Sequence, residues 1–520
     1  MKLKQLIAFV LILLMLLPIL CACGDSKGGE ESTPEETTLP LEDEEHETID
    51  GRLPEIVDLR DEKGKDYVVK IYGGRGFQGS GVGYWSDDIY IPTGGSSNQI
   101  AYKVYERNQK IEESFHCRIE LITPPSSDWI ALTDLKRAYE NGTTYDLTVL
   151  PITDLPYAAT QGLLLDLNAT DDVYYLQNPS FDQNSVKQLS IGNKLYFIAG
   201  DMSVTVADCS YSTVVNLDLF EEKAEEFAEI FGSDDYADIF QLVDKRAWTM
   251  ETMLTMAEYA NYDADPTDGE PDAQKGDRVG YFQYSAAPLF YFYGMGGRIT
   301  EHDENGEIGF VIENERNEQV LSYLCKNMIE DGTDWIPNGF SVDRRIWFFN
   351  GGCLFTDMSS WDIRKSLRLS GSARYAVLPI ALYEEGDSYQ TLVQAYENLF
   401  LWSIPTKCTD QENAFLMLEV FAAYSYWYGT VDAYEDVVLH ADLAESFAQK
   451  STWQTIRNSL AYDVASLYDW GGFMNIIKQA DLTTQNRIQL KLQRIDDIQK
   501  SMQQTIEQFK NPVYVPLTKE

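Results

Sequence analysis

The sequence predicts an α/β protein whose folded region begins with a parallel sheet, because strand-like and helix-like segments alternate along it. Three runs rich in β-branched and aromatic residues predict strands at 66–72, 118–122 and 145–150. Two amphipathic segments lie between these runs and predict helices, one from about residue 98 and one over about 129–139. In such an alternation each helix returns the chain so that the next strand pairs in parallel.

Helix start and stop signals continue towards the end of the chain. Thr249 precedes an apolar stripe and predicts an N-cap. The segment Thr409-Asp-Gln-Glu412 has the form of a capping box before a long apolar run. A last amphipathic helix is predicted from about Thr484 to Lys510. Such stripes predict helices that pack on a core.

The first 22 residues have the proportions of an export signal. Lys2 and Lys4 precede an apolar segment, Leu6–Leu20, that is short for a membrane span. It ends in Leu20-Cys21-Ala22-Cys23, which resembles the bacterial lipobox, where a peptidase cleaves before the cysteine and a diacylglycerol is joined to its sulfur. The resemblance implies lipidation of Cys23 and anchoring to the outer face of the cytoplasmic membrane. The alternative is an ordinary cleaved signal with a chance cysteine.

A strongly acidic segment follows the lipobox, and we assign residues 23–65 to the lipidated cysteine and a tether. Between Asp25 and Asp50 there are eleven acidic residues and one lysine. Repulsion between like charges and the scarcity of apolar residues leave this segment little to bury. It is therefore predicted to be a disordered spacer between the membrane and the folded body.

Composition excludes several classes of function. The formal net charge is −42, with no basic stripe, which argues against nucleic-acid binding. Aromatic residues make up 12% of the chain, which suits a protein that binds uncharged organic ligands. Five cysteines beyond the lipobox are scattered and odd in number, so no disulfide framework is predicted.

Enzyme motifs are missing from the sequence. The four histidines are isolated, with no H-E-x-x-H or C-x-x-C pattern, and no serine occupies a G-x-S-x-G elbow. We therefore expect no metal, no cofactor and no catalytic residue. A glycoside hydrolase stays an alternative, because its paired carboxylates come from distant segments that spacing cannot exclude.

Several passages resemble the extracellular solute-binding proteins of ABC importers, the sugar-binding type in particular. Val104-Tyr-Glu-Arg-Asn108 is similar to the first helix of such proteins, and Gly162-Leu-Leu-Leu-Asp-Leu167 to the element after their third strand. Gly192-Asn-Lys-Leu-Tyr196 looks like the crossover into their second lobe. The segment from Phe348 to Trp361 resembles their late cleft element. These passages keep the family's order across nearly the whole mature chain.

The resemblance implies a type II periplasmic-binding-protein-like fold, with a ligand cleft between two α/β lobes joined by crossing hinge strands. The N-terminal lobe would comprise residues 66–205 and 400–440, and the C-terminal lobe residues 206–399 and 441–512. The implied function is capture of a carbohydrate, an oligosaccharide, by a monomer that delivers it to the permease subunits of an ABC transporter. Alternatives are a surface glycan-binding or sugar-sensing lipoprotein without an importer, and a short peptide as the ligand.

Sugar sites combine aromatic platforms with carboxylates and amides that bond to hydroxyls. The resemblance places a sugar-stacking tryptophan at Trp361 and an aromatic residue at Tyr284. Trp470, in a loop before the final helices, is a third aromatic candidate, and the polar candidates are Asp154, Asp208 and Asn398. Core packing is the alternative for the aromatic residues, and ordinary surface acidity is the alternative for the polar ones.

Overall fold

The computed structural model describes the folded body of the chain. The described residues are 53–73, 86–89, 99–122, 131–170, 175–265, 267, 276–284, 286–330, 343–366, 373–393, 399–439, 447–472, 477 and 494–517. The predicted signal, Cys23, residues 24–52 of the predicted tether and Asn398 lie outside them. The disorder predicted up to residue 65 is wrong for the end of the tether, because Leu59 is buried in the core and its backbone N–H donates to the carbonyl of Phe115. Residues Glu47–Glu520 form one compact unit.

The strands of the described chain include the three that were predicted first. They are β1 (Tyr67–Gly73), β2 (Cys117–Ile122), β3 (Leu147–Pro151), β4 (Tyr211–Asn216), β5 (Val279–Phe282), β6 (Thr300–His302), β7 (Ile308–Phe310), β8 (Cys353–Ser359), β9 (Tyr375–Leu378), β10 (Thr391–Leu392), β11 (Phe400–Ser403) and β12 (Leu460–Ala461). Every residue of β3, β4, β8 and β11 is buried, as expected for strands covered on both faces.

The helices of the described chain lie between and around these strands. They are α1 (Ser86–Ile89), α2 (Gln99–Phe115), α3 (Ala131–Asn141), α4 (Leu155–Thr160), α5 (Gln183–Gln188), α6 (Val204–Asp208), α7 (Leu217–Phe231), α8 (Ile239–Asp244), α9 (Met250–Ala260), α10 (Ala287–Gly294), α11 (Glu315–Leu324), α12 (Arg344–Phe349), α13 (Ser360–Ser366), α14 (Gln411–Trp427), α15 (Thr430–Leu439), α16 (Phe447–Asn458), α17 (Val464–Tyr468) and α18 (Ile495–Lys510). Short 3₁₀ turns cover Tyr175–Gln177, Asp234–Ala237 and Trp470–Gly472, and a π-helical turn follows α11 at Cys325–Glu330.

Helix caps test the local predictions. Thr249 is the N-cap of α9 and accepts a hydrogen bond from the backbone N–H of Thr252, as predicted. The predicted capping box is wrong by one residue, because Asp410 rather than Thr409 caps α14 and accepts from the N–H of Asn413. A carboxylate can reach the N3 amide as readily as a hydroxyl can, so the two neighbouring residues were equally plausible caps.

Two four-stranded sheets organise the body, and we call each sheet with its packed helices a lobe. The first sheet has the order β11-β3-β1-β2, with β1 parallel to both β2 and β3 and β11 antiparallel to β3. The second sheet has the order β5-β8-β4-β9, in which β4 is antiparallel to both of its neighbours. The alternation of strands and helices thus produces the parallel start that the sequence predicted.

Two crossing segments join the sheets, one leading into β4 and the other into β11. Isolated bridges connect the segments at both ends, between Ile198 and Trp402 and between Ser210 and Val393. Pairing at both ends defines a two-stranded connection between the lobes. The residue boundaries assigned to the lobes from the sequence stay a prediction.

Side chains that alternate along the strands of the second sheet enter two different cores. Val215 and Ala376 belong to a large apolar cluster that extends into the first lobe. Val214 and Val377 belong to a smaller cluster with Trp347 on the opposite face. Because successive side chains of a strand point to opposite faces, both faces of this sheet are covered by apolar side chains. Within the described ranges, no helix is long and apolar enough to cross a bilayer.

Candidate functional site

The strand ends that carry the predicted site residues lie beside the crossing segments. Pro151 at the end of β3 pairs with Phe400, where the second crossing enters β11. In the other lobe, Ser359 at the end of β8 pairs with Tyr211, where the first crossing enters β4. The junction between the lobes is therefore bordered by the carboxyl ends of parallel strands from both sheets, namely β1 to β3 in the first and β5, β8 and β9 in the second. Ligand sites of open α/β sheets lie beyond such ends.

Tyr284, two residues after β5, is half-buried at this edge and its ring has neighbours on several sides. The ring is nearly parallel to that of Tyr211, with 5.8 Å between the centroids, and to that of Phe290, at 6.1 Å. The guanidinium carbon of Arg344 lies 4.3 Å from the Tyr284 ring centroid. These contacts hold the phenol ring in one orientation while part of it stays open to solvent.

The backbone of Tyr284 is anchored from inside the second lobe by Asp357. The Asp357 carboxylate accepts hydrogen bonds from the hydroxyls of Tyr281 and Tyr291 and, at 3.3 Å, from the backbone N–H of Tyr284. Burial raises the pKa of the Asp357 carboxyl to about 6, although these donors act in the opposite direction. A buried carboxylate with protein donors on both oxygens positions its neighbours rather than meeting a ligand.

Trp361 is the second residue of α13, directly beyond the end of β8. Its indole is half-buried, whereas the side chains of Trp248, Trp402 and Trp453 are almost completely buried. The next residue, Asp362, accepts a hydrogen bond of 2.8 Å from Arg344. Arg344 therefore contacts both the loop of Tyr284 and the helix that carries Trp361. We call Tyr284, Arg344, Asp357 and Trp361 the edge cluster.

Asp154 lies on the facing lobe, three residues beyond β3, at the start of α4. Its Oδ2 atom accepts a hydrogen bond of 3.1 Å from the backbone N–H of Leu132, which holds the loop against α3. The side chain is half-buried. The edges of both lobes thus contribute polar or aromatic side chains that are partly open to solvent.

Two other predicted residues are buried among protein partners. Asp208, at the end of α6, is 4% exposed and forms an ion pair with Arg364 of α13, while the hydroxyl of Tyr434 donates to it at 2.7 Å. Trp470 is 4% exposed, and its indole N–H donates to Thr505 of α18 at 2.9 Å. Both side chains hold helices together, so we leave them out of the proposed site.

The sequence prediction missed Arg344 and Asp357. Both carried a signal in retrospect, since Asp357 interrupts an apolar strand and Arg344 precedes a buried aromatic run in a chain with few cations. A buried polar residue in an apolar strand generally requires partners. In the described part of the chain, no group of three or more His, Cys, Asp or Glu side chains is arranged to hold a metal ion.

Comparisons with known proteins bear on the fold. No protein-family model and no curated protein sequence matches the chain. A solved cyclo/maltodextrin-binding protein complexed with maltotetraose is similar, with a TM-score of 0.50 and 13% identity, over 86% of this chain and 98% of that chain. An ABC substrate-binding protein from Listeria monocytogenes in complex with cycloalternan has a TM-score of 0.46 and 13% identity, over 86% of this chain and 100% of that one.

The similarity to the cyclo/maltodextrin-binding protein extends over nearly all of that protein. It agrees with the two sheets, the paired crossings and the strand ends that border their junction. The predicted fold class is confirmed: this chain has the two-lobe α/β fold of a solute-binding protein, with a cleft between lobes joined by crossing strands.

Proposed function

We propose that the chain is an extracellular solute-binding lipoprotein that captures an oligosaccharide between its lobes and delivers it to an ABC transporter permease. The observation that carries the proposal is the edge cluster, where the half-buried Tyr284 and Trp361 follow the ends of two parallel strands. Arg344 connects the two positions, because it covers the Tyr284 ring and donates to Asp362, the residue after Trp361. Aromatic faces against sugar C–H groups, with nearby charged donors and acceptors for hydroxyls, are the usual means of binding carbohydrate.

Capture requires that the ligand favour the closed arrangement of the lobes. A ligand shifts such an equilibrium only by binding one arrangement better than the other. The edge cluster belongs to one lobe and Asp154 to the other, so a ligand that reaches both makes contacts that an open cleft does not supply. The maltotetraose bound to the structurally similar protein supports an oligosaccharide as the ligand class.

Membrane attachment and transport complete the proposal. A diacylglycerol on Cys23 would retain the monomer on the outer face of the cytoplasmic membrane, since two acyl chains bind a bilayer firmly where one does not. The acidic segment between Cys23 and the folded body would hold the body away from the lipid surface. The loaded, closed form would then meet the permease. Turnover of the sugar has no place in this function.

Thermal unfolding of the purified full chain tests the proposal directly. Maltotetraose, other oligosaccharides and short peptides would be added one at a time, and the released products examined by mass spectrometry. A bound sugar at one hundred times its Kd should add about 2.7 kcal/mol of stability by mass action. The radius of gyration of the chain, measured by small-angle scattering, should also decrease when the sugar binds. Stabilisation by peptides alone, or hydrolysis of the sugar, would contradict the proposal.

Uptake in cells tests the transport step separately. Cells that lack the chain should fail to accumulate a radiolabelled form of the sugar that stabilises the purified chain, and expression of the wild-type chain should restore uptake. A Trp361→Ala chain should reach the membrane in normal amounts without restoring it. If cells without the chain accumulate the sugar normally although the purified chain binds it, the result favours a glycan-sensing lipoprotein without an importer.

A further inference from the structure

The first crossing segment contains α6, a helix of five residues that contacts elements of both lobes. At the start of α6, the backbone N–H of Thr205 donates to the Asp88 carboxylate at 3.0 Å, and the Thr205 hydroxyl donates to the carbonyl of Phe400 at 3.1 Å. Phe400 is the first residue of β11, in the first sheet. The carbonyl of Asp88 accepts a hydrogen bond of 2.7 Å from the buried Arg107 of α2. The start of α6 is therefore fastened to the first lobe.

The end of α6 is fastened to α13, the helix of the second lobe that carries Trp361. Arg364 of α13 donates to both carboxylate oxygens of Asp208, the last residue of α6, with 2.7 Å between Nε and Oδ1. Two residues further along the crossing, the carbonyl of Ser210 accepts a hydrogen bond of 3.1 Å from the backbone N–H of Ser360, the first residue of α13. Ser360 and Arg364 are four positions apart, so both lie on the face of α13 that meets the first crossing.

Burial and internal hydrogen bonding make α6 move as one piece. Thr205, Asp208 and Arg364 are all buried, and a buried carboxylate that loses its cation is left with an uncompensated charge. The bidentate contact between an arginine and a carboxylate is also a strong one. Within the helix, the backbone N–H of Cys209 donates to the carbonyl of Thr205 at 3.0 Å and spans the whole turn. A displacement of α13 is therefore more easily followed by rotation of all of α6 than by rupture of either end.

We propose that α6 is a rigid link that couples the position of Trp361 to the angle between the lobes. Arg364 is a positioning residue in this scheme, because it acts on the first lobe through Asp208 and α6. The inference rests on the proposed function, in which the ligand contacts Trp361. A ligand that displaces α13 turns α6, and α6 turns the first lobe through its contacts with Asp88 and Phe400.

Thr205→Val tests the link at the end of α6 that does not meet α13. The variant nearly keeps the volume of the side chain but removes the hydroxyl that donates to Phe400. Fluorine NMR of the full chain labelled with 5-fluorotryptophan reports on Trp361, whose resonance the Trp361→Phe chain assigns among the ten tryptophans. We expect Thr205→Val to shift the Trp361 resonance and to change the radius of gyration of the sugar-free chain, measured by small-angle scattering. Neither measurement needs a ligand, so the link is tested even if the proposed function fails.

Calorimetric titration with maltotetraose gives a second measurement. The affinity of Thr205→Val should differ from that of the wild-type chain by about fivefold or more, the usual lower size of a coupling between sites. The radius of gyration fixes the direction, because the ligand binds one lobe arrangement better than the other. A sugar-free variant with a larger radius than the wild-type chain should bind more weakly, and one with a smaller radius should bind more tightly. The opposite relation would overturn the proposal. A wild-type chain that binds no maltotetraose would count against the proposed function and not against the link.

Thr148→Val is the matched control, because the buried Thr148 hydroxyl lies 2.7 Å from that of Ser403 inside the first sheet. It removes a comparable hydrogen bond away from α6 and should leave the Trp361 resonance and the radius as in the wild-type chain. The proposal is overturned if a folded Thr205→Val chain leaves either quantity unchanged, or if Thr148→Val changes both equally.

Tyr434→Phe replaces Thr205→Val in this comparison if the latter does not fold. The Tyr434 hydroxyl donates to Asp208 at 2.7 Å, so the variant loosens the other end of α6 while keeping the ring. It should shift the Trp361 resonance and change the radius of the sugar-free chain, and the same two outcomes would overturn the proposal.

Discussion

The guanidinium group of Arg344 covers the ring of Tyr284, with 4.3 Å between the guanidinium carbon and the ring centroid, and the same group donates to Asp362. One side chain thereby connects the loop after β5 with the helix after β8. Arginine over an aromatic face contributes about 0.5–2 kcal/mol, more where solvent is excluded. The position of the Tyr284 ring thus depends on the guanidinium group of Arg344, which is only partly exposed.

Arg344→Met should weaken oligosaccharide binding by roughly five- to thirtyfold, since about 1–2 kcal/mol of ring positioning would be lost. Isothermal titration calorimetry measures the change. Arg345→Met is the matched control, because Arg345 pairs with Asp343 and Asp362 but does not cover Tyr284. Equal losses in the two variants would show that charge near Asp362, rather than contact with the ring, determines affinity.

Trp361→Ala should retain a cooperative fold yet lose more than about 2 kcal/mol of binding free energy, the typical contribution of an aromatic anchor. Trp361→Phe should recover part of the affinity, because a smaller ring still offers a face to the sugar. Trp248→Ala is the contrasting variant, since a fully buried tryptophan should cost about 3–5 kcal/mol of fold stability. If Trp361→Ala unfolds the body or binds sugar normally, Trp361 is a core residue and not the platform.

The buried ion pair between Asp208 and Arg364 makes a prediction about stability. Arg364→Met should lower the free energy of unfolding by about 3–5 kcal/mol, because it leaves a buried carboxylate without its cation. Adding Asp208→Asn should restore much of the loss, since the amide is neutral and still accepts from Tyr434. Urea unfolding measures both variants. Arg374→Met is the surface control and should cost less than about 1 kcal/mol, because its ion pairs are exposed.

Stability should depend on pH through Asp357. Its carboxyl has a pKa raised from 3.8 to about 6, so between these values the unfolded chain loses the proton before the folded chain does. This group's contribution to stability is therefore complete below about pH 4, falls by about 3 kcal/mol as the pH rises to 6, and is constant above it. The measurement is the wild-type unfolding free energy minus that of Asp357→Asn between pH 4 and 8. A flat difference would show that the carboxyl titrates normally.

Lipid attachment is tested by labelling cells with a radioactive fatty acid. Cys23→Ala should abolish labelling and release the chain from the membrane fraction, since the thioether to diacylglycerol needs that sulfur. Cys21→Ala is the control and should be labelled normally. If Cys21→Ala loses the label and Cys23→Ala keeps it, the lipid is attached at Cys21. If both variants keep the label, the result contradicts the lipoprotein assignment.

Much of the local structure was determined by the sequence itself. The strand predicted at 145–150 is observed as β3 at Leu147–Pro151, and the helix predicted from about residue 98 is α2 at Gln99–Phe115. The cap at Thr249 was also predicted correctly. These features depend on residues within a few positions of one another, where side-chain periodicity and reach along the backbone decide the outcome.

The tertiary structure alone decided which side chains meet. Asp208 and Arg364 are separated by 156 residues, and Tyr281 and Asp357 by 76. Nothing local distinguishes Asp208 among 83 acidic residues, and the apolar strand around Asp357 indicates that it needs partners without indicating which ones. Whether a carboxylate is free for a ligand or bound to an arginine depends on burial and on partners that only the packing of two lobes brings into reach. The sequence therefore determined the elements and their order, while packing determined which polar residues stand open at the cleft and which hold the lobes' helices together.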